Sequence, residues 1–214
     1  GEEGTKVHLT LVRDNEYVEV DVERRKIESP TVEYRMLEEG MGYVQLTEFD
    51  DVTVEQFDKA LKGLKAENAQ GMILDLRGNP GGNLSTVLEV ADMLLDKGMI
   101  LYIEDKQGNR DEYYAENGMD WNLPVVLLVD GNSASASEVL SGALKDHGRA
   151  TLVGTTTFGK GIVQNLRTLK DGSALKLTIS AYYTPSGATV HGKGIEPDVV
   201  VEFDAEAYYG EQHI

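Results

Sequence analysis

Apolar and polar residues alternate through TKVHLTLVRDNEYVEVDVERRKI, residues 5–27. Val7, Leu9 and Leu11 fall on one arm and Val18, Val20 and Val22 on the other, around a polar Asp14-Asn15 turn. A period of two on both sides of a turn predicts a β-hairpin. An isolated hairpin is marginal in water, so these strands need a sheet to join, and the chain is expected to begin inside a domain. Residues 32–37 and 42–49 read as two further strands around Glu38-Glu39-Gly40. The period then changes. Phe57, Ala60, Leu61 and Leu64 share one face of a helix over 53–66, with Thr53 and Gln56 spaced as a capping box. GMILDL (71–76) and PVVLLVD (124–130) are continuous apolar runs, the pattern of strands buried on both faces. Each leads through a small-residue turn into a helix, over 84–97 (Leu84, Val87, Leu88, Ala91, Leu95) and over 135–146 (Ala136, Val139, Leu140, Ala143). Strands at 99–105 and 110–115 flank a Gln107-Gly108-Asn109 turn, and the last third is β-rich, with strands at 150–154, 162–169, 174–183 and 197–203. Helices between buried strands imply right-handed β-α-β crossovers, with antiparallel hairpins added at the ends. The class is α/β.

Composition narrows what such a fold can do. The chain has 214 residues, 41% hydrophobic and 27% charged, as in an ordinary globular protein. With 37 acidic against 20 basic residues the formal charge is −17. That field repels phosphate backbones and anionic lipid, so no nucleic-acid partner is expected. The absence of cysteine removes thiol nucleophiles, disulfides and thiolate metal sites. No apolar run approaches the roughly 20 residues that span a bilayer, and nothing at the start has the form of a signal peptide, so a targeting segment is expected outside this chain.

Candidate chemistry lies in three places. GTTTFGKGIVQ (154–164) has the G-x-x-x-x-G-K spacing of a phosphate-binding loop, but Gly161 stands where that loop needs a hydroxyl, and the residues that follow are strand-like rather than helical. Lys160 between two glycines reads either as a surface lysine in a glycine turn, the commonest fate of a lysine, or, near Phe158 and Val163, as a lysine in a partly dry pocket. Burial disfavours an ammonium, and a neutral amine can act as a general base. VVLLVDGNSASASEVL (125–140) runs from strand through turn into helix, where free helical N–H groups and the positive dipole end would lie beside a serine hydroxyl. Ser135 with Glu138 also matches a capping box, and a serine in such a turn is more often a cap than a nucleophile. Among the four histidines, His147 sits beside Asp146 at the far end of the helix that Ser135 begins, and the eleven residues from Ser135 to Asp146 span roughly 16 Å at about 1.5 Å per residue, so they cannot meet. A histidine base is open only through His191, which ranks below Lys160. RGNPGGN (77–83) is a strand-to-helix turn with Asn83 as cap, whose paired glycines leave N–H groups able to cradle an oxyanion.

LDLRGNPGG, NSASASEVLSGALKDHGRA, TFGKGIVQ, DGSALKLTISAYYTPSG and GIEPDVVV, in that order and spacing from about residue 28 to 203, resemble the carboxyl-terminal processing (tail-specific) proteases. The resemblance implies a ClpP/crotonase-like core and a serine endopeptidase with a Ser-Lys dyad, requiring no metal or nucleotide cofactor. Carried over by motif, Ser135 is the nucleophile, Lys160 the base and Gln164 the residue that orients the lysine. The oxyanion hole is the N–H of Ala136 with one from Gly81 or Gly82, and Asp146 is structural. The opening hairpin, residues 1–27, resembles the last strands of a truncated PDZ domain, followed by a catalytic core over 28–205 and a tail over 206–214. The resemblance further implies unfolded or tail-exposed protein substrates, a regulatory or adaptor protein, a homodimer in the full-length protein, and an extracytoplasmic location, periplasmic or anchored at the cell surface. Two rivals stand beside it: a catalytically silent peptide-binding or regulatory module on the same fold, and a crotonase-like acyl-transfer enzyme, which leaves the Ser-Lys pair unexplained.

Overall fold

A computed structural model describes residues 1–25 and 29–202. The boundary expected between residues 27 and 28 and the tail expected over 206–214 lie outside the described residues. The order is β1 (Lys6–Arg13), β2 (Glu16–Glu23), β3 (Val32–Met36), β4 (Met41–Leu46), α1 (Thr53–Ala66), β5 (Gly71–Asp75), α2 (Leu84–Leu94), β6 (Gly98–Asp105), β7 (Arg110–Ala115), β8 (Val125–Val129), α3 (Ala136–Asp146), β9 (Ala150–Gly154), β10 (Ile162–Thr168), β11 (Ala174–Tyr183) and β12 (Val199–Val200).

Three sheets organise the described residues. The opening hairpin pairs from Lys6 with Glu23 to Arg13 with Glu16, and Asp14 and Asn15 both take the positive φ that a tight hairpin turn requires. Among the described residues it joins no larger sheet, and Leu9, Leu11, Val12, Tyr17 and Val22 are exposed. The central sheet has the order β12-β9-β8-β5-β4-β3, parallel except where β3 runs antiparallel to β4. A second, antiparallel sheet has the order β10-β11-β6-β7.

The path β4, β5, β8, β9 steps across the central sheet in one direction, so right-handed crossovers put every intervening helix on the same face. Burial follows. Val44, Leu74, Leu127 and Leu152 stand in register and are fully buried, under Phe57 and Leu61 of α1, Val87 and Val90 of α2, and Leu140 and Ala143 of α3. Ile73, Val126 and Leu128 point the other way and are half-buried. The two apolar runs are therefore covered fully on one face, a correction to the two-faced burial expected of them.

Local corrections are small. Helix α2 stops at Leu94 because Leu95 turns extended to bury its side chain. The Thr53–Gln56 capping box does not form: Thr53 Oγ1 accepts from Asp50 N–H at 2.9 Å, and Gln56 Oε1 accepts from the N–H groups of Thr31 at 2.9 Å and Val32 at 3.1 Å. Gln56 thus anchors the start of β3 to α1 rather than capping its own helix.

Candidate active site

The C-terminal ends of β5 and β8 bring RGNPGGN and DGNSASAS together. Asp75 is buried at the end of β5, gripped by Arg77 through 2.9 Å and 2.7 Å bonds and by the Tyr43 hydroxyl at 2.7 Å. Four residues after Asp75, Asn79 is fully buried and ties the loop down, its Nδ2 donating to the Leu46 carbonyl at 2.8 Å and its Oδ1 accepting from Gly81 N–H at 2.8 Å. The second loop is held against the first by Ser133 Oγ donating to the Leu76 carbonyl at 2.8 Å and by Ser137 Oγ donating to the Asn79 carbonyl at 3.0 Å. Buried side-chain bonds of this kind leave the two turns little room to drift.

Between those turns Ser135 takes φ 57° and ψ −113° at the entrance of α3. An L-residue rarely occupies this region, and a serine held there marks a site where the surroundings impose the backbone. Helix α3 runs unbroken from Ala136 to Asp146, so the spacing argument against a Ser135–Asp146 partnership holds. Asp146 Oδ2 instead accepts from Ser186 N–H at 2.8 Å and pins the turn that follows β11. His147 bonds the Met99 carbonyl at 2.7 Å, and His191 does not line the cleft that holds Ser135.

Glu138 is the residue whose role the sequence understates. Its spacing from Ser135 reads as a cap, and Ser135 N–H does donate to Glu138 Oε2 at 2.9 Å. The same fully buried carboxylate also accepts from Lys160 N–H at 2.8 Å, Gly159 N–H at 2.6 Å and the Thr157 hydroxyl at 2.6 Å. One side chain therefore holds the backbones of both the candidate nucleophile and the candidate base. The glycines around Lys160 have a physical reason, since a Cβ at Gly161 would lie 2.5 Å from His191 N.

Ser135 and Lys160 open into one cleft of about 320 Å³, shared with Gly82, Ala136, Gln164 and Tyr182 and lined by Leu84, Leu101, Ile103, Val139, Ile162 and Val163. No hydrogen bond joins the Ser135 and Lys160 side chains among the described residues. Lys160 is exposed, so the dry surroundings expected from its glycine flanks are absent here. Gln164 lies at a bulge in β10 and its amide donates to Thr178 Oγ1 at 3.3 Å rather than meeting the lysine. Tyr182, which no sequence pattern singles out, is buried with its hydroxyl on the Lys160 carbonyl and against the Ser135 side chain. Burial pushes its phenol up in pKa and the nearby Glu138 carboxylate adds to the shift.

The oxyanion donors can be sorted by what their N–H groups already do. Gly81 N–H is consumed by Asn79, whereas Gly82 and Ala136 N–H groups make no protein hydrogen bond among the described residues. Gly81 still matters for shape: with φ 104°, a Cβ there would meet the Ala134 carbonyl at 2.7 Å and Ser135 Cβ at 2.8 Å.

The sequence profile of peptidase family S41 matches residues 40–201. The chain belongs to peptidase family S41. It is 37% identical over 204 residues to the carboxy-terminal processing protease CtpA of Bacillus subtilis, covering 94% of this chain and 44% of that protein. It is 40% identical over 210 residues to a carboxy-terminal-processing protease of Bartonella bacilliformis, covering 94% and 48%. The chain thus spans about half the length of these curated relatives. Among solved structures, the photosystem II D1 C-terminal processing protease superposes with a TM-score of 0.76 at 34% identity, over 94% of this chain and 57% of that one. Mature CPAF shares the fold, with a TM-score of 0.68 at 14% identity over 99% of this chain and 67% of that one. The α/β core expected from sequence is therefore the S41 fold, and no helix among the described residues is long and apolar enough to cross a membrane.

Proposed function

We propose that this S41 chain is the catalytic part of a serine endopeptidase that cleaves or trims proteins presented by their C-terminal tails. One observation carries the reading: Ser135, on strained backbone, shares a cleft with the uncommitted N–H groups of Ala136 and Gly82 and with Lys160. In this reading Ser135 Oγ attacks the scissile carbonyl carbon as its proton passes to the neutral Lys160 amine. The developing oxyanion takes hydrogen bonds from Ala136 and Gly82. As the C–N bond breaks, the Lys160 ammonium returns its proton to the leaving amine. Water then attacks the acyl-serine, with Lys160 taking the water proton and Ser135 regaining its own. Gln164 would orient the lysine once its amide leaves Thr178, and a peptide lying over Lys160 would supply the missing dryness.

The apolar lining supports nonpolar residues on the acyl side. Residues 1–27 are read as the end of a PDZ domain, which captures extended C-termini by strand addition, and residues 28–205 as the catalytic core. The relatives' names support a carboxy-terminal processing role for the full-length protein; an extracytoplasmic location, a regulatory or adaptor partner and a homodimer complete the proposal. The test is incubation with an unfolded protein bearing an apolar C-terminus, read by mass spectrometry, beside Ser135→Ala and Lys160→Ala and a fluorophosphonate label. The expected result is stoichiometric labelling of Ser135 and cleavage lost in both variants. An unlabelled, inactive full-length protein would favour a silent binding module.

A further inference from the structure

The loop 155–161 presents an aromatic ring to water from backbone that has little freedom. Phe158 is 66% exposed. Its own N–H donates to the Ser133 carbonyl at 3.0 Å, and its neighbours Thr157, Gly159 and Lys160 are all bonded to Glu138. The exposure therefore does not come from a loose loop. A large apolar side chain held out on pinned backbone beside reactive groups is the informative kind of exposed residue.

Phe158 lines a second cavity, of about 510 Å³, with Gly78, Pro80, Asn132, Ala134 and Lys160. Lys160 belongs to both cavities, while Ser135 and the free N–H groups of Ala136 and Gly82 belong only to the first. The chemistry of peptide cleavage sorts them. The group that protonates the leaving nitrogen must lie next to it, and the carbonyl oxygen must lie at the N–H donors. A bound chain therefore passes from the apolar cleft, across Ser135, past Lys160 and into the Phe158 cavity.

Resting on the protease reading above, we infer that Phe158 is a specificity-determining residue for the leaving side of the substrate. Its ring, with the faces of Pro80 and Ala134, receives the side chain of the residue that follows the scissile bond. No carboxylate lines this cavity and three of its walls are apolar, so the preferred side chain is aromatic or aliphatic.

The test uses the full-length protein and one acyl segment in three forms: a methyl ester, a peptide continuing with Leu, and a peptide continuing with Gly. The ester leaves methanol and has nothing to place against Phe158. Phe158→Ala is expected to lower kcat/KM by roughly tenfold for the Leu peptide, the scale of a small apolar contact in a pocket. The ester and the Gly peptide should stay within about twofold of the parent. Phe158→Trp should retain the Leu preference, and Phe158→Leu carries the test should the alanine variant fold poorly. Equal losses on all three substrates, or no loss on any, would overturn the inference. Ser135→Ala run in parallel separates the two claims. Ester hydrolysis that survives in Ser135→Ala, or is absent from the parent, removes the serine-protease reading and this inference with it. Hydrolysis that depends on Ser135 but ignores Phe158 removes only the leaving-side assignment.

Discussion

Replacing Glu138 by glutamine keeps the shape of the side chain and removes half of its accepting capacity. The carboxylate oxygens take four donors: Ser135 N–H and Lys160 N–H on Oε2, and Gly159 N–H and the Thr157 hydroxyl on Oε1. A glutamine has one acceptor oxygen and an NH₂ group that can only donate. With the amide nitrogen in the Oε2 position, two backbone N–H groups face a donor. In the opposite orientation the Thr157 hydroxyl can turn to accept, which leaves Gly159 N–H unpaired. An unpaired buried donor costs about 1–3 kcal/mol, so the cheaper orientation should lower stability by about that much, and the other by about twice it. Because the pinned backbones carry the candidate nucleophile and base, labelling of Ser135 by a fluorophosphonate should slow by at least roughly a hundredfold, the scale of a misplaced reactive group. Denaturant unfolding gives the first quantity and the labelling rate the second. A Glu138→Gln protein that labels within about threefold of the parent would show that the carboxylate does not hold the catalytic geometry.

Other perturbations bear on single contacts. Asp146→Asn should retain measurable activity and lose at most about 1 kcal/mol in denaturant unfolding, because an amide oxygen can still accept from Ser186 N–H; equal loss of activity in a folded variant would return Asp146 to the chemistry. Gly81→Ala forces a Cβ to within 2.9 Å of Ala136 N and the Ala134 carbonyl at a positive φ, so it should abolish labelling and cost about 1–3 kcal/mol on unfolding. His8 is held above its ordinary pKa, first by its hydrogen bond to Asp21 and then by that to Glu19. Its protonated form therefore favours the hairpin below the unfolded value, and that contribution disappears as pH rises through the raised one. An NMR titration should place the His8 midpoint above 6.5, and Asp21→Asn should move it down.

The sequence reveals most of what is periodic or adjacent. Alternation between Thr5 and Ile27, helical spacing from Phe57 to Leu64 and the apolar runs before RGNPGG and GNSASAS locate their elements because each side chain repeats with its own secondary structure. Relations across the fold are not written that way. Glu138 meets Lys160 only because α3 and the loop before β10 converge, 22 residues apart in the chain. Gln56 stands at a capping position yet serves β3, and Asn79 reaches back to the Leu46 carbonyl, since local spacing names a partner without showing whether a distant one offers better geometry. The exposure of Lys160 is likewise a property of what surrounds it, and the flanking glycines report backbone closeness rather than dryness.

The left-handed backbone at Ser135 carries a cost that glycine would not bear. A serine there sacrifices roughly 1–2 kcal/mol of foldedness to keep a hydroxyl in place. In a lineage that abandoned cleavage but kept the fold for binding, drift to glycine at this position would be rewarded with a tougher protein. At this one position stability and labelling are therefore opposed: Ser135→Gly should unfold at higher denaturant than the parent while losing the fluorophosphonate label.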